Sequence, residues 1–175
     1  VREMDFVAVP DRVQEMELER LMTHYGSSLL RMCYVYLKDT GLAEDAVQET
    51  FLKAYKHLHT LKDAQSEQAW LMRIAINTCK DFLRTSWLRR VDRRVDIDTL
   101  PEAAQDPEMP DATVINAVMG LPAKYKDAVM LRYYQGMKIA EVAQTLNISL
   151  DTAKARLRRA NDILRQQLER WYYDE

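Results

Sequence analysis

The chain has 175 residues, of which 47% are hydrophobic and 30% are charged, and its formal net charge is -2. This balance is typical of a soluble globular protein, and the near-neutral total gives no sign of a nucleic-acid partner. Four glycines and five prolines are too few for an all-β fold, which needs turn residues at short intervals. The common glycine-rich phosphate-binding motifs are also missing from the sequence. The composition therefore predicts a mainly helical protein.

The sequence lacks the features of several other protein classes. Cys33 and Cys79 are too few for a disulfide framework and are not spaced as zinc ligands. His57 and His59 have no carboxylate or thiol at the spacing of metal ligands. No apolar run approaches the roughly 18 residues of a membrane span, and the N-terminus has no signal-peptide pattern. We therefore expect a cytoplasmic protein with no membrane insertion of its own and no catalytic site, metal or cofactor.

Hydrophobic periodicity predicts helices along most of the chain. We expect Ser66 to cap the third helix, Pro122 to begin the fifth, and Gly120 and Gly136 to lie at helix ends. The predicted helices span residues 13–37, 42–58, 67–90, 112–119, 122–135, 138–146 and 150–172.

Charge is distributed unevenly along these helices. The net charge is 0 over residues 1–90, -5 over residues 91–111 and +3 over residues 112–175. The middle stretch also contains three of the five prolines and no sustained helical period, which is the composition of a solvated linker. We therefore predict an all-α protein of two small helical domains joined by an acidic, proline-containing linker, with boundaries at 1–91, 92–111 and 112–175.

The second predicted helix has a polar face with a leucine among its charges. Its apolar face carries Ala43, Val47, Phe51, Ala54 and Leu58. A single exposed leucine is normal, but Leu52 is also suited to be the apolar centre of a partner-binding patch, and spacing alone leaves both interpretations open. The polar face presents Asp45, Gln48, Glu49, Leu52, Lys53 and Lys56.

The third predicted helix places a tryptophan on its polar side. A tryptophan interleaved with cations and an amide resembles a stacking platform beside an electrostatic groove for single-stranded nucleic acid. The alternative is a surface tryptophan covered by the preceding loop. The face consists of Trp70, Arg73, Asn77, Lys80, Asp81 and Arg84.

A helix-turn-helix is predicted near the C-terminus. Ile139, Val142, Ala143 and Leu146 form an apolar stripe that breaks at the turn residues 147–149, and a new stripe follows. The second helix of this unit exposes a small residue among cations, as a helix that enters a major groove does. A solvated, charged helix face is the alternative. The exposed or flanking residues are Thr152, Lys154, Ala155, Arg156, Arg158 and Arg159.

Three segments of the chain resemble bacterial extracytoplasmic-function sigma factors, group 4 of the sigma-70 family. The resemblance covers roughly residues 20–90 and 112–168, in the family's order and spacing. The segments read AEDAVQETFLKAYKHL, AWLMRIAINTCKDFLR and LPAKYKDAVMLRYYQGMKIAEVAQTLNISLDTAKARLRRA. The resemblance implies a dissociable subunit that binds core RNA polymerase, recognises the -10 and -35 elements of promoter DNA and assists strand opening. An anti-sigma factor is a further partner expected from the family.

The same resemblance assigns roles to matching residues. In the family, the second helix grips the polymerase, which implicates Asp45, Gln48, Glu49, Leu52 and Lys53. The third helix contacts or melts the -10 region, which implicates the Trp70–Arg84 face, and residues 59–68 match the segment that captures a flipped base. The second helix of the helix-turn-helix reads the -35 element.

Two other functions remain open from the residues alone. A polymerase-independent helix-turn-helix regulator accounts for the C-terminal domain but leaves the Trp70 face unexplained. A helical adaptor that binds only protein predicts that DNA has no effect on any of its properties.

Overall fold

The computed structural model describes residues 9–61, 63, 67–84 and 112–173, without the side chains of 9–11, 112 and 171–173. The predicted linker, Ser66 and the last residues of the predicted third helix lie outside the described residues. The described part contains helices and turns but no strand, so the all-α prediction is confirmed. The helices are α1 (Val9–Leu37), α2 (Thr40–Lys56), α3 (Glu67–Leu83), α4 (Ala112–Met119), α5 (Ala123–Val129), α6 (Ile139–Leu146) and α7 (Leu150–Tyr173).

The helices α1, α2 and α3 pack around one apolar core. Only two residues separate α1 from α2, and such a short connection makes the helices antiparallel neighbours. The Asp39 carboxylate accepts a hydrogen bond from the Leu42 N–H (2.9 Å), which satisfies one of the free donors at the start of α2. Because of this cap, α2 begins at Thr40, two residues before the predicted start. Phe51 of α2 and Leu71 of α3 are buried in the core, as their spacing predicts.

The predicted helix over 122–135 is interrupted in the structure. After α5, residues Met130–Tyr134 form a π-helical segment. The Gln135 N–H bonds to the Met130 carbonyl five residues earlier (3.2 Å). A one-turn widening of this kind leaves no mark on an apolar stripe, which is why periodicity predicted one continuous helix.

The predicted helix-turn-helix is present as α6 and α7. Asn147, the residue after α6, has the left-handed φ of 55°. Ser149 then caps α7, because its hydroxyl accepts a hydrogen bond from the Thr152 N–H (3.1 Å). Ala153, Leu157 and Ala160 of α7 are buried. The turn and the apolar stripe thus agree with the sequence prediction.

We predict that the left-handed turn makes Asn147 sensitive to substitution. Asn147→Ala is expected to lower the free energy of unfolding by about 1 kcal/mol, because a Cβ without a local polar partner is strained at positive φ. Urea unfolding followed by circular dichroism measures this loss. Asn147→Gly is the control and should keep at least wild-type stability. Equal stability of the two variants would contradict the role given to this turn.

Candidate nucleic-acid and polymerase interface

The predicted nucleic-acid face of α3 is a continuous surface in the structure. Arg73 and Asn77 are exposed, and Trp70 and Lys80 are half-buried beside them. Asp81 and Arg84 are exposed at the end of the helix and form an ion pair (3.2 Å). All six predicted residues therefore lie along one side of α3.

Trp70 is anchored by the segment before α3. Its indole Nε1–H donates a hydrogen bond to the Thr60 hydroxyl (3.1 Å), in the short 3-10 turn Leu58–Thr60. The ring also packs against the apolar core. The alternative interpretation, a tryptophan covered by the preceding loop, is therefore correct in part. Thr60 binds one edge of the ring, but the Trp70 side chain stays partly exposed.

A buried carboxylate at the start of α3 was not predicted from the sequence. The Glu67 side chain is only 9% exposed and forms an ion pair with Arg20 of α1. It also accepts a hydrogen bond from the Tyr25 hydroxyl (2.9 Å). Burial would raise the pKa of Glu67, but the hydrogen bonds from Arg20 and Tyr25 outweigh burial and lower it. Burial and the bond to Glu67 raise the pKa of Tyr25 to about 12. These contacts fix the first turn of α3 against α1.

The predicted polymerase-binding face of α2 contains one residue that also faces α3. Asp45 and Gln48 are exposed, Glu49 is half-buried, and Leu52 is 55% exposed. The Lys53 ammonium instead donates a hydrogen bond to the Thr78 hydroxyl (3.2 Å). It also lies 3.7 Å from the Asp81 carboxylate. Lys53 therefore connects α2 to α3 at the edge of both predicted surfaces.

The outer face of α7 is exposed as predicted. Thr152, Lys154, Ala155, Arg158 and Arg159 are exposed, and Arg156 is half-buried. The Thr152 hydroxyl lies 2.8 Å from the Ser149 hydroxyl, which ties it to the cap of the helix. The exposed face of α7 therefore carries cations around the small side chain of Ala155, while the opposite face of the helix is buried.

Two cations of the α3 face contact the helices α5 and α6 of the C-terminal part of the chain. The Arg73 guanidinium donates to the carbonyls of Thr145 (3.0 Å) and Gln144 (2.7 Å), in the last turn of α6. The Lys80 ammonium donates to the carboxylate of Asp127 in α5 (2.6 Å). Sequence reasoning missed these contacts, because periodicity identifies the polar face of a helix but not the element that meets it.

Asp127 is the buried centre of this contact. Its side chain is 5% exposed, and it also accepts a hydrogen bond from the Tyr36 hydroxyl of α1 (2.5 Å). Burial, followed by the nearby Asp127 charge, raises the pKa of Tyr36 well above its ordinary value. One carboxylate of α5 thus binds one group of α1 and one group of α3.

Comparisons with known proteins identify the chain. Its residues 21–89 match the family model described as Sigma-70 region 2, and residues 112–160 match the model described as Sigma-70, region 4. The chain belongs to the sigma-70 family. The resemblance seen in the sequence is confirmed, and the chain is an extracytoplasmic-function sigma factor.

Named relatives are similar over most of their length. RNA polymerase sigma factor SigV of Bacillus subtilis is 30% identical over 84% of this chain and 88% of its own. ECF RNA polymerase sigma factor SigW of the same organism is 29% identical over 82% of this chain and 84% of its own. RNA polymerase sigma-H factor of Pseudomonas aeruginosa is 28% identical over 91% of each chain.

Two solved structures share the fold. The structure of RpoE with the anti-sigma factor NepR from Bartonella quintana has a TM-score of 0.70 at 21% identity, over 87% of this chain and 97% of that one. The structure of CnrH with the cytosolic domain of CnrY has a TM-score of 0.66 at 21% identity, over 89% of each chain. Within its described residues, this sigma factor has no helix long and apolar enough to cross a membrane.

The buried Glu67 predicts a dependence of stability on pH. A carboxylate whose pKa is lowered on folding stabilises the fold above its ordinary pKa of 4.5, and this contribution is lost as the pH falls below that value. Glu67→Gln is expected to lower the free energy of unfolding at pH 7 by about 2 kcal/mol. In urea unfolding, the difference in unfolding free energy between the variant and the wild type should shrink as the pH falls below about 4.5.

Glu17→Gln is the matched control for this prediction. Glu17 also pairs with Arg20, but its side chain is 41% exposed, against 9% for Glu67, so the change should cost less than about 0.5 kcal/mol at any pH. A pH-independent loss in Glu67→Gln would show that the carboxylate charge does not stabilise α3.

Proposed function

We propose that this alternative sigma factor binds core RNA polymerase through α2, reads the -10 element with α3 and reads the -35 element with α7. The observation that carries the proposal is the order of the two family segments on one chain. The predicted faces of α2 and α7 are mostly exposed, and that of α3 is exposed except where α5 and α6 meet it. The proposal treats residues 1–91 and 112–175 as the two promoter-reading domains and residues 92–111 as their linker.

The face of α7 is suited to duplex DNA. A helix fits into the major groove, where side chains meet base edges while cations on its flanks meet phosphates. Ala155 leaves room at the centre of the exposed face, and Arg158 and Arg159 stand one turn farther along it. We assign base-edge or phosphate contacts to Thr152, Lys154, Ala155, Arg156, Arg158 and Arg159.

The face of α3 is suited to an opened strand. Trp70 offers a partly exposed ring on which a base can stack, and Asn77 offers an amide two turns farther along the same face. Arg73, Lys80 and Arg84 supply positive charge for the strand's phosphates, and Asp81 lies among them. Opening costs a few kcal/mol per unstacked base, and trapping unpaired bases on this face offsets part of that cost without ATP. We therefore propose that the protein is not an enzyme.

The polymerase is assigned to the outer face of α2. Leu52 is a large apolar side chain surrounded by polar groups, which is the composition of an interface centre with a polar rim. Asp45, Gln48 and Glu49 form that rim, and Lys53 stands at its edge towards α3. An anti-sigma factor is a further proposed partner, since the RpoE structure of similar fold contains one. Because these partners act there, we propose that the protein acts in the cytoplasm.

Run-off transcription tests the function as a whole. Core polymerase with this protein should produce promoter-dependent transcripts from a library of genomic fragments, and core polymerase alone should not. The absence of any such transcript would reject the proposal. Tight, sequence-specific duplex binding by the protein alone would favour the polymerase-independent regulator instead.

We predict that Arg158→Ala weakens recognition of the -35 element. Loss of one cationic contact at a base edge or phosphate is expected to reduce transcription from a matched promoter about ten-fold. The measurement is run-off transcription over a range of sigma concentrations. Arg165→Ala is the control, because Arg165 is exposed two turns farther along the same side of α7. Equal losses in both variants would refute the assignment.

We predict that Asp45→Arg abolishes binding to core polymerase. Reversing a charge in the rim of an interface introduces like-charge repulsion and unpaired groups. Retention of core polymerase on the immobilised variant measures the effect, with circular dichroism as a check on folding. Glu44→Arg, at the adjacent exposed position, is the control for the charge change. Unchanged retention by Asp45→Arg would show that this face of α2 does not bind polymerase.

A further inference from the structure

A tyrosine outside the faces assigned to DNA stands exposed beside the helix-turn-helix. Tyr133 lies in the π-helical segment between α5 and α6 and is 57% exposed. A π-helical turn inside a helical region is often found at a functional site. Because single exposed aromatic residues are common on protein surfaces, the contacts of this side chain must decide whether it has a binding role.

The Tyr133 side chain is held against α7. The Asn161 side-chain amide of α7 donates a hydrogen bond to the Tyr133 hydroxyl (3.2 Å). The Arg132 guanidinium lies over the Tyr133 ring, 6.0 Å from its centre, and it also donates to the Met137 carbonyl (3.0 Å). Both the ring and the hydroxyl of this exposed phenol therefore have a defined partner.

The bond from Asn161 determines what the hydroxyl can do next. A phenol has one O–H donor and an oxygen that accepts, whereas an amide N–H only donates. The Tyr133 oxygen is therefore the acceptor in this bond. The hydrogen bonds described for Tyr133 include none that its O–H donates, so the hydroxyl presents a donor to an acceptor outside the protein.

Asn161 places this donor on one flank of α7. Residues seven apart on an α-helix are separated by almost two turns, so Asn161 lies on the same flank as Lys154, about 10 Å farther along the helix axis. Arg158 stands between them near the same flank, and both cations are exposed. Tyr133 therefore extends a row of cationic side chains with a further hydrogen-bond donor.

We propose that the Tyr133 hydroxyl donates a hydrogen bond to a backbone phosphate of the duplex that α7 reads, with Asn161 as the positioning residue. The proposal rests on the assignment of α7 to the -35 element. When a helix lies in a major groove, its flanks face the phosphates, and tyrosine hydroxyls are among the groups that bind phosphate oxygens. Such a contact fixes the register of the protein on DNA without reading a base.

The charges around Tyr133 favour an anionic acceptor. Arg132 lies at the ring, and Lys154 and Arg158 precede it along the flank of α7. Asp162 is the neighbouring carboxylate, but one position along a helix is a rotation of about 100°, which turns Asp162 towards the outer face. The Tyr133 hydroxyl therefore stands among three cations, where a phosphate is attracted.

Binding of the free full-length protein to double-stranded DNA tests the contact, since the outer face of α7 is exposed. The probes are one A/T-rich and one G/C-rich duplex, labelled with fluorescein and read by fluorescence anisotropy over a range of KCl concentrations. Tyr133→Phe removes only the hydroxyl, and it is expected to weaken binding to both duplexes about five-fold. The slope of log affinity against log salt concentration should stay unchanged, because an uncharged phenol releases no counterion.

Two further variants separate a neutral hydrogen bond from other effects. Lys154→Ala should also weaken binding to both duplexes, but it should reduce the salt slope by about one. Tyr55→Phe is the matched control, because Tyr55 lies on α2, outside the face assigned to the duplex. It should bind both duplexes as the wild type does. Circular dichroism checks that each variant is folded.

A double-mutant cycle tests the positioning role of Asn161. Asn161→Ala releases the Tyr133 hydroxyl from its partner and is expected to weaken duplex binding about two-fold. The same change in the Tyr133→Phe background should have no further effect, because Asn161 acts through the hydroxyl. An equal loss in both backgrounds would show that Asn161 does not act through Tyr133.

Three results would overturn the inference. If Tyr133→Phe binds as the wild type does while Lys154→Ala binds more weakly, the phenol makes no contact and the assignment of α7 stands. If the loss in Tyr133→Phe is confined to one duplex, the acceptor is a base and not a phosphate. If neither variant is weakened, the flank of α7 does not meet duplex DNA, and that assignment fails too. Failure of the proposed function as a whole is read separately, from run-off transcripts.

Discussion

The structure depends on two buried carboxylates that hold α3 near its two ends. Glu67 begins the helix and is bonded to Arg20 and Tyr25, while Asp127 meets Lys80 thirteen residues later and is bonded to Tyr36. A carboxylate removed from water is stable only with such partners. In both cases a tyrosine of α1 donates one of the bonds. The orientation of the helix that we assign to the -10 element is thus set by pairs of charged and hydroxyl groups as well as by apolar packing.

These pairs also explain why the net charge says little about function. Of the cations on this face, Lys80 is compensated by Asp127 of α5, and Arg84, the residue after α3, is compensated by Asp81. The cations of α7 instead stand on an exposed face. A total of -2 is therefore compatible with two DNA-binding surfaces, because binding depends on the local charge that a strand or a groove meets.

The sequence predicts the helices and the helix-turn-helix well, because each depends on local rules. The stripe of Ala153, Leu157 and Ala160 defines the buried side of α7, and Asn147 supports the left-handed turn before it. Contacts between the N-terminal and C-terminal helices depend on residues distant along the chain, as Tyr36 and Asp127 are. A tyrosine in an apolar run and an aspartate in a short helix carry no local sign that they meet. For the same reason, the helical face alone could not show that Lys53 reaches α3.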